Sequence, residues 1–176
     1  MDKNSSLYKT ILLAVVCAVA GLLLSAVNKV TEPVIQQNAI AQVEDTLKDF
    51  YPKEKNFTEI TDKYKSKDKS GLIDNIYQAG DSGYVFSLHN TGYDSGGFTF
   101  MIGFNKDGSI SGYEALEQNE TAGKGSKAFD DDYKKQVMKL TVNDKMPLIS
   151  GATVTTSAVR DAVTAAEKMF KIINGK

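Results

Sequence analysis

Apolar residues form one unbroken segment near the N-terminus and recur at regular intervals through the rest of the chain. Residues 10–28 are uncharged, and 15 of these 19 positions hold Ile, Leu, Val, Ala or Cys. A helix of about 20 apolar residues crosses the ~30 Å hydrocarbon core of a bilayer. The pattern therefore predicts a transmembrane helix over residues 10–29, preceded by a short N-terminal segment, residues 1–9.

Two other kinds of N-terminal segment share features with this one. A cleaved signal peptide also has a short basic start, but its apolar core is usually roughly 7–15 residues long and ends at small residues. A lipoprotein anchor needs a small residue before its cysteine, whereas Val16 precedes Cys17. We therefore expect an uncleaved single-pass protein of the cell membrane. The positive-inside rule, applied to Lys3 and Lys9, places the N-terminus in the cytoplasm and the rest of the chain on the extracytoplasmic side.

Helical periodicity continues for a short distance after the predicted span. Pro33 suits the first turn of a new helix. Apolar residues then recur at intervals of three and four: Ile40, Val43, Leu47 and Phe50. This spacing predicts an amphipathic stalk over residues 30–55, with its helix ending before Pro52. Residues 53–69 carry six lysines among four acidic residues, a mixture that favours a solvated loop over a lipid-binding segment.

The remaining residues, 56–176, predict an extracytoplasmic domain with strands first and helices last. Two β-rich runs bounded by glycines, residues 84–88 and 98–104, predict strands. The turn sequence Asn-Lys-Asp-Gly follows the second run, so residues 109–116 are expected to return beside it as a hairpin.

Two helices are predicted near the C-terminus. Residues 130–140 have an acidic start that suits the positive end of a helix dipole, and an apolar stripe predicts a last helix over residues 156–174. The predicted fold class is α+β: a single N-terminal transmembrane helix and a helical stalk, followed by a domain built on an antiparallel sheet.

Composition excludes several kinds of site. The chain has 21 Lys+Arg against 22 Asp+Glu, one His and one Cys. Balanced charge argues against a nucleic-acid partner, which needs a dense basic surface. One cysteine excludes an intramolecular disulfide and a cysteine-ligated zinc or iron–sulfur site in this chain. The single histidine, His89, ends a predicted strand and is interpreted as a surface or packing residue, so no metal site is predicted.

A loop rich in hydroxyl groups stands at the start of the last predicted helix. Five of the eight residues 150–157 carry hydroxyls and none is charged. The free N–H groups and the dipole of a helix N-terminus favour a phosphate. Ser and Thr are equally preferred as ordinary N-caps. The residues alone leave both interpretations open.

This loop resembles the flavinylation motif of the FMN-binding domain family, Ser-Gly-Ala-Thr-x-Thr. In that family the threonine after Gly-Ala carries FMN through a phosphoester, which implies a covalent FMN on Thr153. Residues 120–125 resemble a second family signature, Glu-Thr-Pro-Gly-Leu-Gly, with Ala122 and Lys124 in place of proline and leucine. The resemblance implies further cofactor contacts from Ser150, Gly151, Ala152, Thr155, Glu120, Thr121 and Gly123.

The two motifs, the N-terminal span, the Thr-x-Pro beyond it and Gly92-Tyr93 cover nearly the whole chain. Together they are most similar to the G subunits of Rnf electron-transport complexes; the C subunits of sodium-translocating NADH:quinone reductases are similar but usually longer. The resemblance implies electron relay through FMN within an ion-translocating ferredoxin:NAD oxidoreductase. It also implies other membrane and peripheral Rnf subunits as partners, and a flavin transferase for maturation.

No general acid or base and no substrate pocket are expected in this chain, because the cofactor supplies the redox chemistry. Two alternatives stay open. The chain could be a flavinylated subunit of another extracytosolic reductase, serving quinone or an external acceptor. It could also be a non-redox, membrane-tethered binding domain whose hydroxyl-rich loop merely caps a helix.

Overall fold

The computed structural model of the protein describes residues 6–175. Residues 1–5 of the predicted cytoplasmic segment, including Lys3, lie outside the described residues. The described chain divides after Ala41 into two compact units. The second unit begins at Gln42, so the last part of the predicted stalk belongs to the folded domain.

The first element is one long helix, α1, which runs from Ser6 to Phe50. It is long and apolar enough to cross a membrane, and the side chains of its most apolar window are not buried. The expectation that a new helix starts at Pro33 is wrong, because Pro33 lies inside α1. Proline removes one backbone donor and kinks a helix locally; here that loss does not end the helix.

Five antiparallel strands form a meander in which each strand pairs with the next along the chain. They are β1 (Phe57–Glu59), β2 (Ile73–Ala79), β3 (Gly83–Asn90), β4 (Phe98–Asn105) and β5 (Ile110–Gln118). The predicted antiparallel sheet and α+β class are confirmed. The predicted loop over residues 53–69 is wrong in part, since it contains β1 and a short helix, α2 (Thr61–Tyr64).

Both faces of the sheet are covered. Alternate residues of β3 and β4 point to opposite faces, and Phe86 and Ile102 belong to the larger core, formed with the two C-terminal helices. Val85 and Met101 face the other way and pack with Leu47 near the end of α1. Burial on both sides explains why these two strands are nearly continuous apolar runs.

The end of α1 lies close to the sheet because glycines leave room for it. A Cβ on Gly112 would come within 2.1 Å of the Phe50 ring, and one on Gly103 within 3.0 Å. Gln42 on α1 also donates from its side-chain amide to the carbonyl oxygen of Leu116 at 3.1 Å. The second half of the predicted stalk is therefore a structural layer of the domain.

The C-terminal helices are α3 (Asp131–Val137) and α4 (Thr153–Ile173). The first is shorter than the predicted 130–140. The second begins three residues before the predicted start at Thr156, so the hydroxyl-rich segment lies partly within its first turns. Because of this shift, Thr153 lies in the first turn of the helix and not in the loop before it.

Candidate functional site

The N-terminus of α4 is preceded by a tight turn. Gly151 has φ +84°, a left-handed conformation that glycine adopts without strain. The N–H of Ala152 donates to the carbonyl oxygen of Ile149 at 3.0 Å. No side chain of the described residues caps this helix. The N–H groups of its first turn are therefore oriented toward any anion placed at the helix end.

The three threonines in the first turn of α4 differ in exposure. Thr155 and Thr156 are fully buried. Thr155 Oγ1 accepts from the N–H of Tyr93 at 3.3 Å, and Thr156 Oγ1 donates to the carbonyl oxygen of Ala152 at 3.0 Å. Thr153 is exposed, and its Oγ1 makes only a long contact of 3.4 Å with the carbonyl oxygen of Ile149. Of these three hydroxyls, that of Thr153 is the one that a reagent in solution can reach.

Thr153 lies in a cleft of about 420 Å³, a size typical of small-molecule sites, which span roughly 300–1,000 Å³. Side chains and backbone from three segments line it: Tyr93, Lys124, Gly125, Gly151, Ala152, Thr153, Val154 and Thr155. Tyr93 and Val154 are 65% and 56% exposed. An apolar surface of this kind beside an exposed hydroxyl suits a ligand with both a flat aromatic part and a polar tail.

Glu120 lies behind the cleft rather than in its lining. It is only 7% exposed, its Oε2 accepts from the N–H of Asp94 at 3.4 Å, and its Oε1 has no partner among the described residues. A Cβ on Gly92 or on Gly125 would come within 2.0 Å of its carboxylate oxygens. Glu120 therefore connects the 92–94 loop and the 120–125 loop, and both glycines are needed to admit it.

The structure separates the predicted site residues into two groups. Gly151, Ala152, Thr153 and Thr155 line the cleft, whereas Ser150, Glu120, Thr121 and Gly123 do not. Thr121 instead shapes its own loop, since its carbonyl oxygen accepts from the N–H of Lys124 at 3.0 Å. Gly123 has φ +71°, and its backbone N–H donates to the hydroxyl oxygen of Ser126 at 3.0 Å. These residues position Lys124 and Gly125 at the edge of the cleft.

Two residues that the sequence analysis missed hold the segment before the cleft. Arg160 donates to the carbonyl oxygen of Met146, and Tyr133 donates to that of Pro147 at 3.1 Å. Burial raises the pKa of Tyr133 to about 12, although the positive charge of Arg160 opposes the shift, so the phenol stays a donor at neutral pH. Arg160 is the sole arginine in the sequence, a signal that could have identified it.

Acidic and histidine side chains do not gather at this site. Among the described residues, no group of three or more His, Cys, Asp or Glu side chains is arranged to hold a metal ion. His89 Nδ1 contacts Asp74 Oδ1 at 2.7 Å as an exposed pair on neighbouring strands. The chemistry available in the cleft is that of a hydroxyl, backbone N–H groups, an aromatic surface and one lysine.

Most of the chain matches families of known proteins. Residues 92–168 match the FMN-binding domain, a range that contains every residue lining the cleft, and residues 1–49 match the RnfG N-terminal region. The chain is 26% identical over 190 residues to the G subunit of the proton-translocating ferredoxin:NAD(+) oxidoreductase complex of Clostridium ljungdahlii, covering 99% of this chain and 97% of that protein.

A second relative comes from Methanosarcina acetivorans. The G subunit of its ion-translocating oxidoreductase complex is 26% identical over 182 residues, covering 94% of this chain and 95% of the relative. Both alignments extend from the long N-terminal helix through the FMN-binding domain. The similarity therefore includes the arrangement of the whole chain and is not confined to the motif around Thr153.

Proposed function

We propose that this chain, which belongs to the family of Rnf-complex G subunits, relays electrons through an FMN bound to Thr153 by a phosphoester. It would do so within an ion-translocating ferredoxin:NAD oxidoreductase complex. One relative is named as a subunit of a proton-translocating ferredoxin:NAD(+) oxidoreductase complex, and the other as a subunit of an ion-translocating oxidoreductase complex. The observation that carries the proposal is the exposed Thr153 hydroxyl, which lies in the cleft at the uncapped N-terminus of α4.

The residues present fit FMN by their chemistry. The first-turn N–H groups of α4 would face the phosphate end of the cofactor. The exposed apolar surfaces of Tyr93 and Val154 offer area on which a flat ring can pack. When bound, the isoalloxazine ring supplies the redox chemistry, because it accepts one or two electrons.

The protein positions Thr153 through its neighbours on both sides. Gly151 makes the left-handed turn that leads into α4, and Ala152 is buried beneath it. Thr156 anchors the first turn internally through its bond to the carbonyl oxygen of Ala152. Because these contacts do not use the Thr153 hydroxyl, that hydroxyl stays available on a rigid helix end.

Attachment would require a flavin transferase, because a threonine hydroxyl is a weak nucleophile at neutral pH. In this step Thr153 Oγ1 bonds to the phosphorus of an activated flavin nucleotide, the hydroxyl proton leaves, and the bond to the leaving group of the donor breaks. The described residues that line the cleft include no carboxylate and no histidine, so the transferase would supply the base. The exposure of Thr153 gives such an enzyme access.

The apolar segment of α1 would hold the domain at the membrane as a single-pass anchor. With Lys3 and Lys9 on the cytoplasmic side, the FMN-binding domain lies on the extracytoplasmic side. Other Rnf subunits would be its electron donors and acceptors. The anchor would keep the domain in the same membrane as those partners.

The proposal is tested on the full-length chain, expressed in membranes together with an active flavin transferase. Wild type, Thr153→Ala and a matched control, Thr164→Ala, are compared by fluorescence in a denaturing gel. Thr164 is on the same helix, where its hydroxyl donates to the carbonyl oxygen of Arg160 at 2.8 Å. We expect fluorescence in wild type and Thr164→Ala and none in Thr153→Ala. Equal fluorescence in Thr153→Ala, or none in wild type beside a labelled reference flavoprotein, contradicts covalent attachment at Thr153.

Membership in the complex is tested separately by affinity purification of the chain from native membranes. Co-purification of the other Rnf subunits supports the assignment. Co-purification with a quinone-dependent or external-acceptor reductase instead would assign the flavin to a different extracytosolic enzyme.

A further inference from the structure

Lys124 is the only charged side chain among the described residues that line the cleft. Its loop is fixed on both sides. The N–H of Lys124 donates to the carbonyl oxygen of Thr121, and Gly125 packs against the buried carboxylate of Glu120. A backbone held in this way keeps the side chain of Lys124 at the edge of the cleft.

Lys124 has no acidic partner among residues 6–175, in contrast to two other lysines of the domain, Lys134 and Lys106. Lys134 pairs with Glu114 at 2.5 Å, and Lys106 pairs with Asp81 at 2.9 Å. Within the described part of the chain, no carboxylate lies within 4 Å of the Lys124 ammonium group. Its positive charge is therefore uncompensated by a direct ion pair and is available to a ligand in the cleft.

We propose that Lys124 stabilises the reduced form of the cofactor and so raises its reduction potential. The proposal rests on the proposed function, because it concerns the flavin bound at Thr153. The oxidised ring is neutral, and the uptake of two electrons and one proton leaves it with one negative charge. A positive charge nearby favours the reduced, negative ring, whereas the phosphate charge is the same in both redox states.

The size of the effect follows from Coulomb's law. At a separation of about 4 Å and a dielectric close to that of water, which suits an exposed side chain, a unit charge changes an equilibrium by on the order of five- to tenfold. For a two-electron couple, a tenfold change corresponds to about 30 mV. Removal of the charge should therefore lower the midpoint potential by about 20–30 mV, and added salt should reduce this difference because the side chain is exposed.

The test measures the midpoint potential of purified, flavinylated full-length protein by dithionite titration followed in the visible spectrum. Lys124→Met removes the charge and keeps the length of the side chain, whereas Lys124→Arg keeps the charge. Lys127→Met is the matched control, since Lys127 lies in the short 3-10 helix Gly125–Ala128 directly after Lys124 and does not line the cleft. We expect a lower potential in Lys124→Met alone, with Lys124→Arg and Lys127→Met close to wild type.

Three results would overturn the proposal. One is a potential in Lys124→Met within a few millivolts of wild type. A second is an equal shift in Lys127→Met, which would show a general charge effect. A third is failure of Lys124→Met to load flavin, with rescue by Lys124→Arg, which would assign the charge to attachment rather than to the reduced ring. Failure of the proposed function looks different, because wild type itself would then carry no covalent flavin.

Discussion

Arg160 and Met146 are joined by two hydrogen bonds to a single carbonyl oxygen. Arg160 Nε and Nη2 both donate to Met146 O, at 3.0 and 2.5 Å. The pair links α4 to the segment that leads into the turn at Gly151. Because a guanidinium is a rigid planar fork, this link fixes the direction from which the chain enters the cleft at Thr153.

Replacement of Arg160 by methionine should lower the free energy of unfolding by about 1.5–3 kcal/mol, the usual contribution of hydrogen bonds to a charged group. Arg160→Lys should recover only part of this loss, because an ammonium group lacks the forked geometry. Urea unfolding of the full chain in detergent measures both variants, with the exposed Lys168→Met on the same helix as the control. Wild-type stability in Arg160→Met would show that the link is not a structural constraint.

Gly125→Ala should impair cofactor loading, because the added Cβ would come within 1.9 Å of a Glu120 carboxylate oxygen and 2.7 Å of Thr155 Oγ1. The collision displaces the 120–125 loop from the cleft. Gly96→Ala is the control, since its Cβ would meet only side-chain atoms, at 3.0 Å or more. Gel fluorescence after expression with the transferase should show a severalfold loss in Gly125→Ala and little change in Gly96→Ala. Equal loading of the two variants would contradict the tight packing around Glu120.

Gly112→Ala should destabilise the domain by about 1–3 kcal/mol, as overpacking of a filled core does. Its Cβ would meet the Phe50 ring at 2.1 Å and separate the end of α1 from the sheet. Phe50→Leu combined with Gly112→Ala should recover part of the loss, because the smaller side chain leaves room. Urea unfolding checks this, with Thr58→Ala on the exposed edge strand β1 as the control. Additive losses in the double variant would argue against the contact.

Glu167 should make the stability of the domain pH-dependent. Burial raises its pKa from 4.5 to about 7, more than the positive charge of Lys171 lowers it, and Asp144 adds to the rise. Between about pH 4.5 and 7 the folded state binds more protons than the unfolded state, so stability falls as pH rises through this window and is level above it.

Glu167→Gln should remove this dependence. At pH 8 the variant should be more stable than wild type by about 1–2 kcal/mol, after allowance for solvent screening of a half-exposed group. At pH 4.5 the two should be alike. Denaturant midpoints across this pH range test the prediction, with Asp161→Asn, an exposed residue of the same helix, as the control. A wild-type slope that persists in Glu167→Gln would show that another group causes it.

The sequence predicts those elements whose pattern is strong and local. The apolar segment of α1 and the strands β3, β4 and β5 are long, regular runs bounded by turn residues. Strand β1 has only three residues, and β2 is interrupted by Asp74 and Asn75, so neither gives a clear alternation. The start of α4 is misplaced because its first turns carry hydroxyls instead of apolar residues, and the apolar stripe begins only at Val159.

The candidate site could be predicted in part, because some of its residues also form a local sequence pattern. The segment around Thr153 is contiguous in sequence, so its chemistry is visible in the sequence. The separation of Thr153 from the buried Thr155 and Thr156 depends on the rotation of α4 against the domain. The burial of Glu120 depends on Gly92 and Gly125, which come from separate loops, and no local pattern encodes that packing.

The most direct test of the central claim is to locate the flavin in the chain. Tryptic cleavage after Lys145 and after Arg160 releases one peptide, Met146–Arg160, which contains Thr153 and the other hydroxyl-bearing residues of the motif. Tandem mass spectrometry of this peptide from native membranes should show the mass of FMN less one water, with fragment ions that assign it to Thr153. An unmodified peptide, or a flavin on Ser150, Thr155, Thr156 or Ser157, would contradict the account.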